Sequence, residues 1–426
     1  MTDRINFGLD TTGSTIGDAS DAHVITIAPT GAGKNVSSII PNLLEYSGSV
    51  FVIDPKGENA ARTYKQRENL GQKIYVLDPF GISGINTSFF NPLDYIDDGE
   101  AGITQAERLA DTLILESKGD NRHFSDEGRA LLKALILHVK TYKAYTSSAN
   151  LGEINKIAAN PTKATEEMLA NTAYFGLVMR TAIRINKKEE REKSSVWSTV
   201  QANLSQFLDD PRVARNLMRS SFDFSELQTG KISVFIVLPA PYLHTFSRWL
   251  RLLVGTALDR LLLNMDEKKK PKIPVLMVLD EFAHLGNLEA VKTAFGLARG
   301  AGLRIWAILQ SLSQLDDVYG EHGRETLIAN SGSLEIFNIV DNHACRYFAE
   351  KCGDHYVLVK SLSRGRNLAG VGEGFDEREE RRPRLLPIDI ANLPLDTKLI
   401  FRRGLDYCEV RKVLYYTHKR LKTLAS

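Results

Sequence analysis

Short apolar runs, each followed by a helical pattern, dominate two stretches of the chain, one near each end. Near-continuous runs of Val, Ile, Leu and Phe are typical of strands buried on both faces of a parallel sheet. Six such runs lie at 24–27, 49–53, 73–77, 232–239, 275–279 and 303–309. Because several of them stop at Asp-Pro or another polar residue, they predict parallel α/β units whose carboxyl ends meet at one edge of a sheet.

The pattern changes between residues 98 and 222, where apolar residues recur at helical spacing and strand patterns disappear. Thr104 and Ser125 are each followed by acidic residues and predict helix starts. We therefore predict an α/β domain in two parts, 1–97 and 223–426, interrupted by an all-α insertion at 98–222.

Two segments of the α/β parts carry loop signals. Residues 1–20 are rich in Gly, Ser, Thr and Asp and predict an extended arm. The lysines at 268–270 predict an exposed loop before the fifth apolar run.

The composition indicates a globular protein but does not identify a function. The 426 residues are 43% hydrophobic and 25% charged, as in ordinary soluble globular proteins. A net charge of +2 neither demands nor excludes a nucleic-acid partner. Cys345, Cys352 and Cys408 lack the paired spacing of zinc or redox sites, which fits a reducing, cytoplasmic setting. Since no apolar run approaches the ~18 residues needed to cross a bilayer, we expect no transmembrane segment in this chain.

A glycine-rich stretch follows the first apolar run. In Ala28-Pro-Thr-Gly-Ala-Gly-Lys34 the backbone N–H groups can surround phosphate oxygens, and the lysine can reach the β and γ oxygens. The pattern is a phosphate-binding loop and predicts a triphosphate as ligand. The predicted nucleotide-binding residues are Thr30, Gly31, Ala32, Gly33, Lys34, Asn35 and Val36. The alternative is a simple strand-to-helix turn with an exposed lysine.

The loop departs from the usual pattern at two positions. Ala28 replaces the first glycine, which that position tolerates because it does not require positive φ. Asn35 stands where a Ser or Thr hydroxyl normally binds Mg²⁺. An amide oxygen is a weaker and bulkier ligand, so the loop supports phosphate binding better than metal binding.

Two carboxylates, Asp280 and Glu281, follow the fifth apolar run. Carboxylates at the end of a buried strand are costly unless they are used. We predict that Asp280, together with Asn35, holds Mg²⁺ and that Glu281 orients or deprotonates the attacking water. The alternative role for Asp280 is a helix N-cap.

Gln310 ends the sixth run, and Arg299 lies at the end of the helix before it. An amide at the catalytic end of a strand can sense the γ-phosphate or position water, and a helix-start residue fits that position equally well. For Arg299, the alternative is a cation favoured at a helix C-terminus.

Together these segments resemble the coupling ATPases of type IV secretion and conjugation (TraG-like), which are similar to RecA-like and FtsK-like motors. The matching segments are Ala28–Lys34, Ile40-Pro-Asn-Leu-Leu44, Asp54-Pro-Lys-Gly-Glu58, Phe90-Asn-Pro-Leu93, Leu279-Asp-Glu-Phe282, Leu309-Gln-Ser-Leu-Ser-Gln-Leu315 and Arg384-Leu-Leu-Pro387. They occur in order over nearly the whole chain, which makes the match much more specific than a lone phosphate loop. The family often lacks a hydroxyl after the lysine, as here at Asn35.

The resemblance implies a RecA-like P-loop NTPase domain with an all-α insertion, ATP and Mg²⁺ as cofactors, and a homo-hexameric ring. It implies that Arg299 of a neighbouring subunit and Gln310 complete the ATP site as catalytic groups beside Glu281. Implied partners are single- or double-stranded DNA bound without sequence specificity, relaxase or secreted protein substrates, and components of the secretion channel. Family members act at the cytoplasmic face of the bacterial inner membrane and usually carry N-terminal membrane helices. Without them, we expect a monomer in dilute solution.

Two other functions compete with an ATP-driven motor. One is a nucleotide-dependent docking platform that recruits protein substrates and hydrolyses little ATP. The other is a chromosomal DNA pump of the FtsK type, which the helical insertion disfavours. Lys34 and both carboxylates favour the motor.

Overall fold

One large mixed sheet organises the molecule. The computed structural model describes residues 2–115, 122–229, 231–263, 270–367 and 370–426, and side chains except those of 361–376. The strands in these residues are β1 (Ile5–Leu9), β2 (Thr15–Asp18), β3 (His23–Ile27), β4 (Val50–Asp54), β5 (Lys73–Leu77), β6 (Ile232–Val237), β7 (Val275–Leu279), β8 (Leu303–Leu309), β9 (Ser331–Ile336), β10 (Asp354–Asn367), β11 (Gly370–Pro383), β12 (Thr397–Arg402) and β13 (Cys408–Arg411). Eleven of them form the sheet, in the order β2-β1-β13-β12-β9-β3-β8-β7-β4-β6-β5.

Helices cover both faces of this sheet and fill the middle of the chain. They are α1 (Ile40–Glu45), α2 (Glu58–Asn69), α3 (Glu100–Leu113), α4 (Arg122–Thr141), α5 (Leu151–Ala158), α6 (Pro161–Leu169), α7 (Ala173–Asn186), α8 (Glu190–Leu208), α9 (Pro211–Asn216), α10 (Ser247–Leu263), α11 (Glu289–Leu297), α12 (Ser313–Asn330), α13 (Asn342–Cys352), α14 (Pro387–Ala391) and α15 (Lys419–Leu424).

All six predicted strands are present and parallel. They correspond to β3 to β8, and their paired residues are nearly all buried. The seventh parallel strand, β9, pairs with β3 and was not predicted. The α/β fold class with a mostly parallel sheet is therefore confirmed, and the carboxyl ends of β3, β8, β7 and β4 lie side by side at one edge.

A buried ion pair explains why β9 and its neighbour β12 lack a continuous apolar pattern. The Lys398 ammonium group on β12 lies 2.7 Å from a Glu335 carboxylate oxygen on β9, and both side chains are fully buried. Lys398 also donates to the carbonyl oxygen of Ser37 at 3.0 Å, while Thr26 on β3 donates to Glu335 at 2.6 Å. These hydrogen bonds offset the cost of burying two charges. The pair thereby joins the antiparallel half of the sheet to the phosphate-loop strand and helix.

The extended arm predicted for residues 1–20 is wrong. β1 and β2 form an antiparallel hairpin that joins the edge of the sheet through β13. Ile5 and Phe7 alternate with less buried residues and enter the core, which anchors the segment. The Gly- and Thr-rich residues 10–14 supply only the turn.

Within the described part of 98–222 the ordered elements are helices, as predicted. Both predicted helix starts are wrong, because Thr104 lies inside α3 and Ser125 inside α4. The true start of α3 follows Gly99, with Glu100 in the first turn, where an acidic side chain favours the helix dipole. α3 packs on α10, so the helical region shares an apolar core with the sheet. The domain boundaries stay a prediction.

Three smaller features complete the description. The helix after the phosphate loop starts as a π-helical turn, Asn35–Ile39, and changes to α1 just before Pro41. Of the predicted lysine loop at 268–270, Lys268 and Lys269 lie outside the described residues. None of the helices in the described residues combines the length and apolar character needed to cross a bilayer.

Candidate active site

The phosphate loop connects β3 to the helical segment that begins at Asn35. Gly31 and Gly33 have φ values of 81° and 87°, a backbone region that side-chain-bearing residues avoid. The alternation of backbone directions turns successive N–H groups toward one concavity, as anions require. Lys34 is only 9% exposed, whereas Thr30 and Gly31 are open to solvent. The alternative of a turn with an exposed lysine is therefore wrong.

A chain of polar contacts joins the loop to the ends of β7 and β8. The Lys34 ammonium lies 3.5 Å from one oxygen of the Glu281 carboxylate. The Gln310 amide donates to the other oxygen at 2.7 Å, and its carbonyl accepts from the Thr30 hydroxyl at 2.9 Å. The structure thus brings together Thr30, Lys34, Glu281 and Gln310 at the carboxyl edge of the sheet.

Glu281 has an unusual backbone. Its φ of 55° and ψ of 42° lie in the left-handed region, which costs energy for a glutamate. The strained turn follows the end of β7 directly and aims the carboxylate at Lys34 and Gln310. Backbone strain of this kind clusters at functional sites, where it holds a side chain in the direction that the function requires.

Asp280 is not a helix N-cap. The short helix after β7 begins at Phe282 with Glu281 as the preceding residue and no side-chain cap, so the N-cap alternative is wrong. Asp280 instead accepts a hydrogen bond from the Glu281 N–H at 3.1 Å and is 5% exposed. Burial raises the pKa of Asp280 to about 7, although the nearby Lys34 lowers it; Glu281 and Asp54 raise it further.

Asp54, at the end of the neighbouring strand β4, was missed as a site residue. Its carboxylate is fully buried, accepts from the Ala60 N–H at 2.8 Å and leaves its other oxygen without a partner among the described residues. Burial raises the pKa of Asp54 to about 6. Its position directly after an apolar run, like that of Asp280, was a signal for it.

Replacing Asp280 tests the cost of these buried carboxylates. Its pKa is higher in the folded protein than in the unfolded chain. The free energy of unfolding therefore falls as pH rises through about 7, because the folded protein must then bury a charged carboxylate. Asp280→Asn should remove that loss and raise the unfolding free energy of nucleotide-free protein at pH 8 by at least about 1 kcal/mol. Urea unfolding at pH 6 and pH 8 measures it. The exposed Asp317→Asn serves as control, and an equal fall in stability between the two pH values in wild type and Asp280→Asn would contradict the assignment.

The backbone of Gln310 is fixed by a hydrogen bond to Gln314. Its backbone N–H donates to the side chain of Gln314 at 2.8 Å, and α12 begins only at Ser313. The alternative of a helix-start residue is therefore wrong. A γ-phosphate sensor remains the prediction for Gln310.

Arg299 lies away from this cluster. It follows α11 and precedes β8, at the amino edge of the sheet, where its guanidinium pairs with Asp21 at 3.0 Å. Asp21 itself precedes β3, so the pair is at the opposite end of the strands from Lys34. Arg299 therefore contributes nothing to the nucleotide site of its own chain.

Two further residues beside the loop were missed. Lys412, which follows β13, donates to the carbonyl oxygen of Ala32 at 3.0 Å and to the side chain of Asn338. Asn338 follows β9 with a φ of 54°. No local motif marks either residue, since the contact between Lys412 and the loop spans 380 positions of sequence.

A parallel sheet with a phosphate loop after a central strand, and acidic and amide side chains after the two neighbouring strands, defines a RecA-like P-loop NTPase fold. Over residues 3–426 the chain matches the family model described as Type IV secretory system Conjugative DNA transfer, and it belongs to that family. The resemblance found in the sequence is thereby confirmed.

Individual relatives agree with the family. The chain is 28% identical to Protein VirD4 of Agrobacterium fabrum over 427 residues, which cover 97% of this chain and 61% of VirD4. It is 31% identical to Conjugal transfer protein TraG of Escherichia coli over 399 residues, which cover 87% of this chain and 62% of TraG. The chain thus spans about three-fifths of the length of the curated relatives it matches.

Among solved structures, the bacterial conjugative coupling protein TrwBdeltaN70 has the same fold. The TM-score is 0.72 at 20% identity, with 96% of this chain and 89% of that chain covered. TrwB has also been solved with the non-hydrolysable ATP analogue ADPNP and with ADP and Mg²⁺.

Proposed function

We propose that this chain is the ATP-hydrolysing part of a type IV secretion coupling protein. The observation that carries the proposal is the cluster of Lys34, Glu281 and Gln310 beside a phosphate loop with two glycines at positive φ. A cation for the phosphates, a carboxylate for the attacking water and a polar sensor are the groups that phosphoryl transfer to water needs. Their convergence from three separate strand ends favours hydrolysis over simple binding.

The residues present fit a nucleotide with Mg²⁺, as bound in the TrwB structures. The loop N–H groups of 30–36 and Lys34 would hold the phosphates. Asp280 and Asn35 would hold the metal, which supplies positive charge to the phosphate oxygens. In the described residues no group of three or more His, Cys, Asp or Glu could bind a metal alone. That fits Mg²⁺, which keeps several waters and binds mainly through phosphates and one or two carboxylates.

Glu281 and Lys34 change partners in the proposed reaction. Their separation of 3.5 Å is long for a charge-assisted hydrogen bond, so the contact is weak and easily exchanged. Lys34 would turn to the β and γ oxygens, and the freed carboxylate would accept a proton from the attacking water. Gln310, already fixed by Gln314, would orient that water or contact the γ-phosphate.

Substrates and partners follow from the family. We infer that the chain recruits DNA, a relaxase-DNA complex or protein effectors and drives their transfer into a secretion channel at the cytoplasmic face of the bacterial inner membrane. The helical residues within 98–222 are the candidates for substrate recruitment. A homo-hexamer would form the working assembly, because Arg299 lies too far from its own loop to act there.

A direct experiment separates the motor from the docking platform. Steady-state ATP hydrolysis should be measurable, rise with single-stranded DNA, and vanish in Lys34→Ala because phosphate binding is lost. DNA stimulation should weaken between low and moderate salt, since non-specific binding depends on counterion release. Lys292→Ala, at a lysine on α11 that pairs with the largely exposed Glu289, is the control. Nucleotide binding without hydrolysis under all these conditions would favour the docking platform instead.

A further inference from the structure

The carboxy-terminal segment 412–415 crosses the outside of the phosphate loop. Lys412 donates to the Ala32 carbonyl within the loop, and the backbone N–H of Tyr415 donates to the carbonyl oxygen of Val36 at 3.0 Å. Tyr415 is buried with Ile40 and packs against the helix that follows the loop. The segment thus holds both the loop and the first turn of its helix.

Lys412 acts on the side of the loop away from the reacting groups. In the sheet, β3 lies between β9 on one side and β8 on the other, and β7 lies beyond β8. Glu281 and Gln310 follow β7 and β8, whereas Asn338, the second partner of Lys412, follows β9. The γ end of a nucleotide belongs with Glu281, so Lys412 touches the loop from the opposite flank.

The charge of Lys412 is poorly compensated. Its two hydrogen-bond partners, Ala32 and Asn338, are neutral, and it lies 4.3 Å from the centre of the Phe337 ring. No described residue forms an ion pair with it. A half-buried ammonium group without a counterion would be stabilised by an anion bound in the adjacent loop.

We propose that Lys412 is a positioning residue that fixes the phosphate loop from the β9 side and supports the loop when it binds a nucleotide. This inference rests on the proposed function of the loop. Lys412 is held by the strand end of β13 and does not contact the reacting groups. Its loss should therefore raise the KM for ATP and leave kcat nearly unchanged.

Protonation gives the inference a signature that a merely structural lysine lacks. Burial, with repulsion from Lys398, lowers the pKa of Lys412 to about 8, against the opposing effects of Glu335 and Asp396. A bound polyanion favours the charged form and raises this pKa again. By linkage, binding at pH 8 takes up about half a proton at Lys412, and affinity falls as pH rises above 8.

Calorimetric titration of the whole chain with ADP and Mg²⁺, in two buffers of different ionisation enthalpy at pH 7, 8 and 9, tests this. Wild type should take up protons at pH 8. Lys412→Met should bind about tenfold more weakly at pH 7, the size expected for a lost charged hydrogen bond. Lys412→Arg should bind nearly as well as wild type at pH 7 and lose the additional proton uptake, because arginine does not titrate there. Lys422→Met, an exposed lysine on α15, should behave as wild type.

Each outcome decides. If wild type binds ADP and Lys412→Met or Lys412→Arg shows the same affinity and the same proton uptake, the inference is overturned while the proposed function stands. If Lys412→Met does not fold, Lys412→Arg alone decides through the pH dependence. If wild type binds no ADP at any pH, the proposed function fails and this inference with it.

Discussion

Glu281→Gln is expected to bind ATP at least as well as wild type and to hydrolyse it at least about 100-fold more slowly, the usual range for a lost general base. The amide matches the carboxylate in shape and still contacts Gln310, but it cannot accept a proton. It also frees Lys34 from the carboxylate with which it forms an ion pair at 3.5 Å, so the lysine is more available to phosphate. ATP should therefore accumulate on the protein.

Equilibrium binding and steady-state phosphate release measure the two halves of this result separately. Glu289→Gln is a matched control, because Glu289 is a largely exposed glutamate on α11 that forms an ion pair with Lys292. It should change neither quantity. Hydrolysis by Glu281→Gln at the wild-type rate would show that another group takes the proton of the water.

The sequence predicted the parallel strands β3 to β8, which form one side of the sheet, because most of their residues are buried and read as continuous apolar runs. The sequence did not predict β9 and β12, the strands that carry buried charges. Glu335 on β9 and Lys398 on β12 interrupt the apolar pattern and are compatible with the core only because they pair with each other. That pairing joins distant parts of the chain and leaves no local signal.

The active site divides in the same way. Asp280 and Gln310 stand directly after predicted strands, and Lys34 ends the loop that follows another, so the parallel topology brought all three to one edge. Asn338 follows β9 and Lys412 follows β13, two strands that the sequence did not predict. Their approach to the loop depends on the tertiary fold, and only the structure reveals it.

Arg299→Ala is expected to fold and bind ATP but to lose hydrolysis by about 10³- to 10⁵-fold, the effect of an arginine that stabilises charge on the transferred phosphoryl group. The arginine is 42% exposed at the amino edge of the sheet, opposite the edge that carries the Lys34 site of its own chain. If it served Asp21 alone, its loss would cost at most about 1 kcal/mol of stability and leave turnover intact. Asp21→Ala removes the same ion pair and keeps the arginine, so it should remain active.

Mixing two inactive variants tests the shared site directly. An Arg299→Ala subunit keeps Lys34, and a Lys34→Ala subunit keeps its arginine, so a mixed ring contains some interfaces in which both groups are intact. ATP hydrolysis should therefore return on mixing, at concentrations high enough to assemble subunits, and turnover of wild type should rise faster than linearly with protein concentration. Sedimentation in the same samples reports whether rings form. Rings that form from the mixture without regaining activity, or a dilute monomer with full activity, would show that each chain completes its own site, because neither result is compatible with an arginine supplied by a neighbour.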